Sequence, residues 1–380
     1  MIEMITVISL LSLAAWVYLT GFRGGFWLSA PVLNAALPKG KPKVAVVVPA
    51  RDEADCIRLT LTSLLAQDYP GELSVILVDD NSTDGTSAIA ASLNAHSQLA
   101  IIPGKPLPEG WTGKLWAVNQ GLSHDKAKSA DYVLLTDADI VHAPGHISAL
   151  VAKAECDGLQ LVSEMVRLHC ATFAERALIP AFVFYFQMLY PFAWVADPAK
   201  KLAGAAGGTM LVSRKALDNV EGVSRIRGQL IDDCALAKEI KTAGGGIWLG
   251  QADLAVSNRV YSNWRDVWNM IARTAFEQLG YSLLLLLGCI LAMGIIYCAP
   301  PLLILFAHGL PRVCCGLSWL MMAIAFQPTL RRYQRSPLWG VALPMIGLFY
   351  LSATVASALR YYLGHGGGWK SRTYPNVVGR

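Results

Sequence analysis

Residues Tyr132–Val141 read YVLLTDADIV: an apolar run that ends in two carboxylates one residue apart, Asp137 and Asp139. Two earlier runs share this form. Residues 44–50 read VAVVVPA, and residues 74–80 read SVILVDD. These runs are continuously apolar rather than alternating, as expected of strands buried on both faces. Helical patterns separate them, over Glu53–Gln67, Thr86–Ser97 and Lys114–Ser123. Strands alternating with helices predict an α/β fold with a Rossmann-like, mostly parallel sheet. In such sheets ligands bind beyond the carboxyl ends of the strands. The polar residues fall at those ends: Pro49, Ala50 and Glu53 after the first, Asp79 and Asp80 after the second, Asp137 and Asp139 after the third.

The composition adds a membrane. Only 16% of the 380 residues are charged and 54% are apolar, against about 25% charged in an ordinary soluble chain. The net charge is +5, and the basic residues flank apolar runs instead of forming a patch, which argues against a nucleic-acid partner. Met4–Phe22 carries no charge and is long enough for an uncleaved anchor. Arg23, Lys39, Lys41 and Lys43 follow it and place the next domain in the cytoplasm by the positive-inside rule. Two further spans fit Tyr281–Phe306 and Val313–Gln327, with Pro300 and Pro301 kinking or ending the first. A last apolar segment covers Leu338–Leu359. The tail after it is basic, so a simple crossing there conflicts with the positive-inside rule, and re-entry is the other reading. The expected organisation is an anchor over 1–27, a catalytic domain over 40–258, an interfacial amphipathic helix over 259–279, a membrane region of about three segments over 280–363 and a basic tail over 364–380. This is a multi-pass protein of the inner (plasma) membrane. Ala177–Ala196, interrupted by Pro180 and Pro191, reads as a surface or acceptor-lining segment rather than a span. The eight cysteines form no C-x-x-C pair and read as reduced thiols.

The acids suggest chemistry. Adjacent carboxylates stay ionised more readily when a cation bridges them. Mg²⁺ or Mn²⁺ takes one or two carboxylates and completes its shell with water and substrate phosphates. Asp137 and Asp139 therefore suit a metal–diphosphate site, against the plainer reading of a loop or helix cap. Asp79 and Asp80 suit hydroxyls of a ribose or an N–H of a base, as acids do in dinucleotide sites. Lys114 begins a helix, where it either meets a phosphate or is a solvated surface lysine. The glycine-rich stretch Leu202–Ser213 is a tight turn or a place where backbone approaches a ligand closely. Asp232 and Asp233 open an amphipathic helix, as caps or as a general base for a hydroxyl acceptor.

Six segments in order, VVVPARDEAD, VDDNSTDGT, GKLWAVNQG, TDAD, AAGGTMLVS and IDDCALAKEI, resemble the family 2 glycosyltransferases of the GT-A fold. The anchor, the C-terminal spans and the tail GGGWKSRTYP are similar to the hopene-associated subgroup. The resemblance implies that Pro49, Ala50, Glu53 and Asp80 hold the nucleotide of a sugar donor. It also implies that Asp139, with Asp137, binds a divalent metal and the diphosphate, and that Asp233 is the catalytic base. The motif here reads Asp232-Asp233 where the family has Glu-Asp. The Q-x-x-R-W of processive members is reduced to Arg273 within Met270–Thr274, which counts against a polysaccharide synthase. The implied activity is inverting transfer from a nucleotide-sugar donor to the hydroxyl of a lipid acceptor. Transfer to a polyprenyl phosphate, or a silent membrane scaffold with a relict domain, are the rivals.

Overall fold

A computed structural model describes residues 2–95, 97–364, 366–370 and 372–373. Much of the basic tail, 374–380, lies outside the described residues. The chain divides into two compact units. One contains Pro31–His169, Trp194–Arg259 and the chain from Gly368. The other contains the chain to Ala30, Cys170–Ala193 and Val260–Gly367.

The first unit is built on an eight-stranded sheet. Its strands are β1 (Val44–Ala50), β2 (Leu73–Asp79), β3 (Leu99–Pro103), β4 (Tyr132–Thr136), β5 (Ile140–His142), β6 (Leu161–Arg167), β7 (Thr209–Ser213) and β8 (Ile247–Ser257), in the order β3-β2-β1-β4-β7-β6-β8-β5. β1, β2, β3 and β4 run parallel, with Val47 of β1 opposite both Ile76 and Leu135. Every residue of β1 is buried, so no polar face exists to produce alternation in the sequence. Val46, Val48, Leu77, Leu134 and Leu211 lie in one apolar core beneath helix Ile57–Leu65. The sheet then becomes mixed: β7 is antiparallel to β4 and β6, and β5 is antiparallel to β8.

Three boundaries depart from the sequence expectation. The helix expected from Glu53 starts at Ile57. The chain before it is held open, with Asp52 at φ +50° and the Glu53 N–H donating to Thr86 Oγ1 at 2.8 Å. The helix expected over Thr86–Ser97 stops at Ala91, and the chain passes Asn94 at φ +52° to form β3. Five residues are too few to show a period, which is why that strand is invisible in the sequence. Finally, β4 ends at Thr136, so Asp137–Asp139 form a turn. Strand alternation therefore does not put the two carboxylates on one side.

The second unit is helical. Among the described residues, four helices are long and apolar enough to cross a membrane: Glu3–Phe22, Leu283–Leu303, Leu310–Arg332 and Leu343–Tyr362. Pro300 and Pro301 do not end the second of them. A π-helical turn over Gly294–Cys298 precedes a helical turn that continues to Leu303. Pro180 likewise lies inside a continuous helix, Phe173–Leu189, opened by a capping box of Thr172 and Glu175. The amphipathic helix Trp264–Gln278 buries part of its apolar face against protein, while Trp264 stays exposed. Val267 and Ile271 are buried, Trp268 meets Phe349 edge-on at 5.3 Å, and the Phe276 N–H donates to Ser357 Oγ.

Candidate active site

Two ionic clusters occupy the carboxyl ends of β1, β2 and β4, both within the sheet unit. The first begins where β1 and β2 stop together, with the Asp80 N–H donating to the Ala50 carbonyl at 2.8 Å. Asp80 is fully buried. Its carboxylate meets Arg51 at 3.3 Å and Arg372 at 2.9 Å. Burial pushes its carboxyl above the ordinary range, and the two guanidiniums only partly offset this. Asp79 is also buried and accepts from the Ser82 N–H at 3.2 Å. Glu53 is buried beside them and accepts from Arg259 Nη2 at 2.9 and 3.1 Å and from Lys370 Nζ at 2.7 Å. Through Nε, Arg259 also donates to Asp139 Oδ2 at 2.9 Å, where Ser257 Oγ lies 3.1 Å away. Arg259 thus clamps Glu53 to Asp139.

The second cluster surrounds Lys114, the second residue of helix Gly113–Leu122. Its ammonium lies 3.0 Å from Asp137 Oδ1 and 3.2 Å from Asp232 Oδ2. Burial works to lower its pKa, but Asp137, Asp232 and Asp233 outweigh this and hold it well above the usual lysine value. Asp232 and Asp233 are the first two residues of helix Asp232–Thr242, and Ile231 holds the N-cap position. Neither aspartate is therefore the cap. Asp233 accepts from the Gly207 N–H at 2.8 Å and the Cys234 N–H at 2.7 Å. Burial and the charge of Asp232 push its carboxyl up to about 6, against the opposing pull of Lys114 and the two N–H groups. Gly207 belongs to the glycine-rich turn. A Cβ there would lie 3.3 Å from Asp233 Oδ2 and 3.4 Å from Lys114 Nζ, so the turn serves close backbone approach. An open cleft beside this cluster is lined by Pro49, Lys114, Asp137, Gly207 and Asp232.

The structure thus joins Glu53 and Asp139 through Arg259, sets Asp80 between Arg51 and Arg372, and gathers Lys114, Asp137, Asp232 and Asp233 in the second cluster. Pro49 lines the cleft, and Ala50 lies at the strand end. Among the described residues no group of three His, Cys, Asp or Glu side chains is placed to enclose a metal ion. Asp137 and Asp139 nevertheless fit a hard divalent ion that takes most of its shell from phosphate and water, since one or two carboxylates suffice for it. Both are ionic oxygen donors on one short turn, and the Asp137 side chain is 36% exposed.

Several of these residues escape a reading of the sequence. Arg259, Lys370 and Arg372 are far in the chain from the acids they meet, and no local pattern marks them. A buried polar chain behind the turn is equally silent. Thr136 Oγ1 donates to the Gly208 carbonyl at 2.7 Å, so it accepts from His142 Nε2 at 3.0 Å. His142 Nδ1 is then bare and accepts from His146 Nδ1 at 2.8 Å. His146 Nε2 lies 2.8 Å from Glu164 Oε2. Burial and the neighbouring His146 hold the His142 pKa well below the ordinary value, as this neutral tautomer requires. The chain fixes Thr136, the residue immediately before Asp137. Its only sequence signal is the i, i+4 spacing of His142 and His146.

Residues 45–220 match the model for glycosyl transferase family 2. The Bacillus subtilis protein named "Probable glycosyltransferase YdaM" is 34% identical over 103 residues, which is 27% of this chain and 24% of that protein. An undecaprenyl-phosphate 4-deoxy-4-formamido-L-arabinose transferase of Salmonella choleraesuis is 30% identical over 124 residues, 32% of this chain and 36% of its own length. The matches thus span about a quarter to a third of these relatives' lengths. A mannosyltransferase from Pyrobaculum calidifontis, solved with GDP-mannose and Mn²⁺, aligns over 98% of this chain and 100% of its own at 20% identity, with a TM-score of 0.57. The fold is shared.

Proposed function

We propose that this chain is a membrane-bound, inverting glycosyltransferase that moves a sugar from a nucleotide-sugar donor to the hydroxyl of a lipid. The observation that carries this reading is Asp233. It is a carboxylate steered by two backbone N–H groups, with its carboxyl pushed up to about 6. A general base works best with a pKa near the operating pH, and a carboxylate at 6 is ionised yet basic. Asp233 takes the proton of the acceptor hydroxyl. The freed oxygen attacks the anomeric carbon from the face opposite the leaving group. The carbon–oxygen bond to the diphosphate breaks, and the nucleoside diphosphate departs with the electron pair. Lys114, close to Asp137 and Asp232, holds a positive charge beside that path. A divalent ion held by Asp137 and Asp139 would supply further positive charge against the departing diphosphate. Glu53, Asp79 and Asp80, with the backbone of Pro49 and Ala50, hold the nucleoside.

The four apolar helices support a membrane location, and the tail constrains the topology. Lys370 bonds to Glu53 within the sheet unit. The chain from Arg259 to Gly368 therefore begins and ends on one side of any membrane it crosses, and crosses it an even number of times. Three candidate helices lie in that interval, so at most two of them cross.

The likeness of the tail to the hopene-associated subgroup makes a hopanoid the first lipid to try. A polyprenyl phosphate is the second reading, favoured by the name of the Salmonella relative. The test is transfer of labelled sugar from a panel of nucleotide sugars into membrane lipid by purified protein, with Mg²⁺ or Mn²⁺ added or chelated. Divalent-dependent labelling of one lipid is expected. No labelling from any donor would overturn the proposal.

A further inference from the structure

The last described residues form a hairpin of two short strands, β9 (Gly368–Trp369) and β10 (Arg372–Thr373), paired antiparallel with each other and forming a sheet of their own. Two strands alone are barely stable in water, so the hairpin depends on what it touches. It touches the first ionic cluster. Lys370, at the turn with φ +54°, places Nζ 2.7 Å from Glu53 Oε1 and 3.1 Å from the Asp52 carbonyl. Arg372 places Nη2 2.9 Å from Oδ1 of the fully buried Asp80.

Four cations gather at this contact in two groups: Arg51 and Arg372 on Asp80, and Arg259 and Lys370 on Glu53, with Arg259 also on Asp139. Cations gathered beside a nucleoside site suit the diphosphate. The two basic side chains of the hairpin differ in what they can do. Arg372 is a planar fork on a buried carboxylate, which is an anchor. Lys370 is a point charge on a flexible four-carbon stem, with its side chain 22% exposed. It can turn from Glu53 to a phosphate oxygen without moving the backbone, and Glu53 keeps Arg259 when it does.

We propose that the C-terminal hairpin is part of the donor site, with Arg372 fastening it to Asp80 and Lys370 providing a cation for the donor diphosphate. The inference rests on the reading of this cluster as the donor site. It is tested by calorimetric titration of UDP, GDP and dTDP into the full chain in detergent with Mg²⁺, comparing wild type with Lys370→Ala, Lys370→Arg and Arg372→Ala. Wild type binds one of these nucleotides. Lys370→Ala weakens that binding by about 10- to 100-fold, as expected for loss of one charge-assisted hydrogen bond, and makes it less sensitive to salt. Lys370→Arg retains most of the affinity, and Arg372→Ala weakens it because the anchor is lost. Unchanged binding by Lys370→Ala overturns the inference and leaves the donor-site reading standing. Tighter binding overturns it too, since the hairpin would then be a plug. Absence of any binding by wild type overturns the donor-site reading, and this inference falls with it.

Discussion

The two ionic clusters at the carboxyl ends of the strands are a few residues apart in sequence, at Asp137 and Asp139, yet different in balance. Around Asp139 and Glu53 two cations, Arg259 and Lys370, match two carboxylates. Around Asp137 a single lysine, Lys114, stands among three aspartates. The first arrangement keeps an exposed cation, Lys370, that can turn to an anion. The second keeps one carboxylate, Asp233, protonated to a higher pH than usual. A transfer reaction needs both, one to hold a diphosphate and one to accept a proton, and the D-x-D turn puts one acid in each.

Substitutions can break that contrast. The largest effect is expected for Asp233→Asn. It keeps the shape and removes the base, and kcat should fall by about 10²–10⁴-fold, read by steady-state transfer to a hydroxyl acceptor. An acceptor that is already an anionic phosphate needs no base, and activity kept in this variant would move the assignment to a polyprenyl phosphate. Next comes Asp139→Ala. It removes the Arg259–Asp139 ion pair and should abolish the response of the rate to added Mg²⁺ or Mn²⁺, measured by metal titration of the initial rate. Lys114→Met should cost about 10- to 100-fold in kcat/KM, the value of a hydrogen bond between charged groups. It should also raise the Asp233 pKa, because the cation that opposes burial and the charge of Asp232 is gone.

The smallest effect concerns stability and has the opposite sign to the loss of rate. The folded protein holds the Asp233 carboxyl at about 6, above its ordinary 3.8. Between these values the folded state binds more protons than the unfolded state, so stability is lost as pH rises through the window. Asp233→Asn removes that loss. The variant should melt a few degrees above wild type at pH 7.5 and by a smaller margin at pH 4.5, measured by thermal unfolding at both.

The sequence exposes this fold unevenly, for physical reasons. β1, β2 and β4 are legible because burial on both faces leaves nothing but apolar residues in them. The membrane candidates are legible because hydrocarbon excludes charge over some twenty residues. β5 has three residues, and the antiparallel places of β7 and β8 depend on packing that no local pattern records. Of the site, the acids at strand ends were legible by position alone. Their cations were not, since Arg259 is 206 residues from Glu53 and Arg372 is 292 from Asp80. Asp137 and Asp139 were read as partners on one face. The strand stops one residue too early for that, and each found its own lysine or arginine.

The account turns on Asp233, and a pH–rate profile tests it most directly. With the donor and acceptor found by the transfer assay, kcat/KM of wild type should rise tenfold per pH unit below about 6 and level off above it. Asp233→Asn should retain only a small rate without that limb. A rise through the same pH in Asp233→Asn, at wild-type rates, would contradict the account.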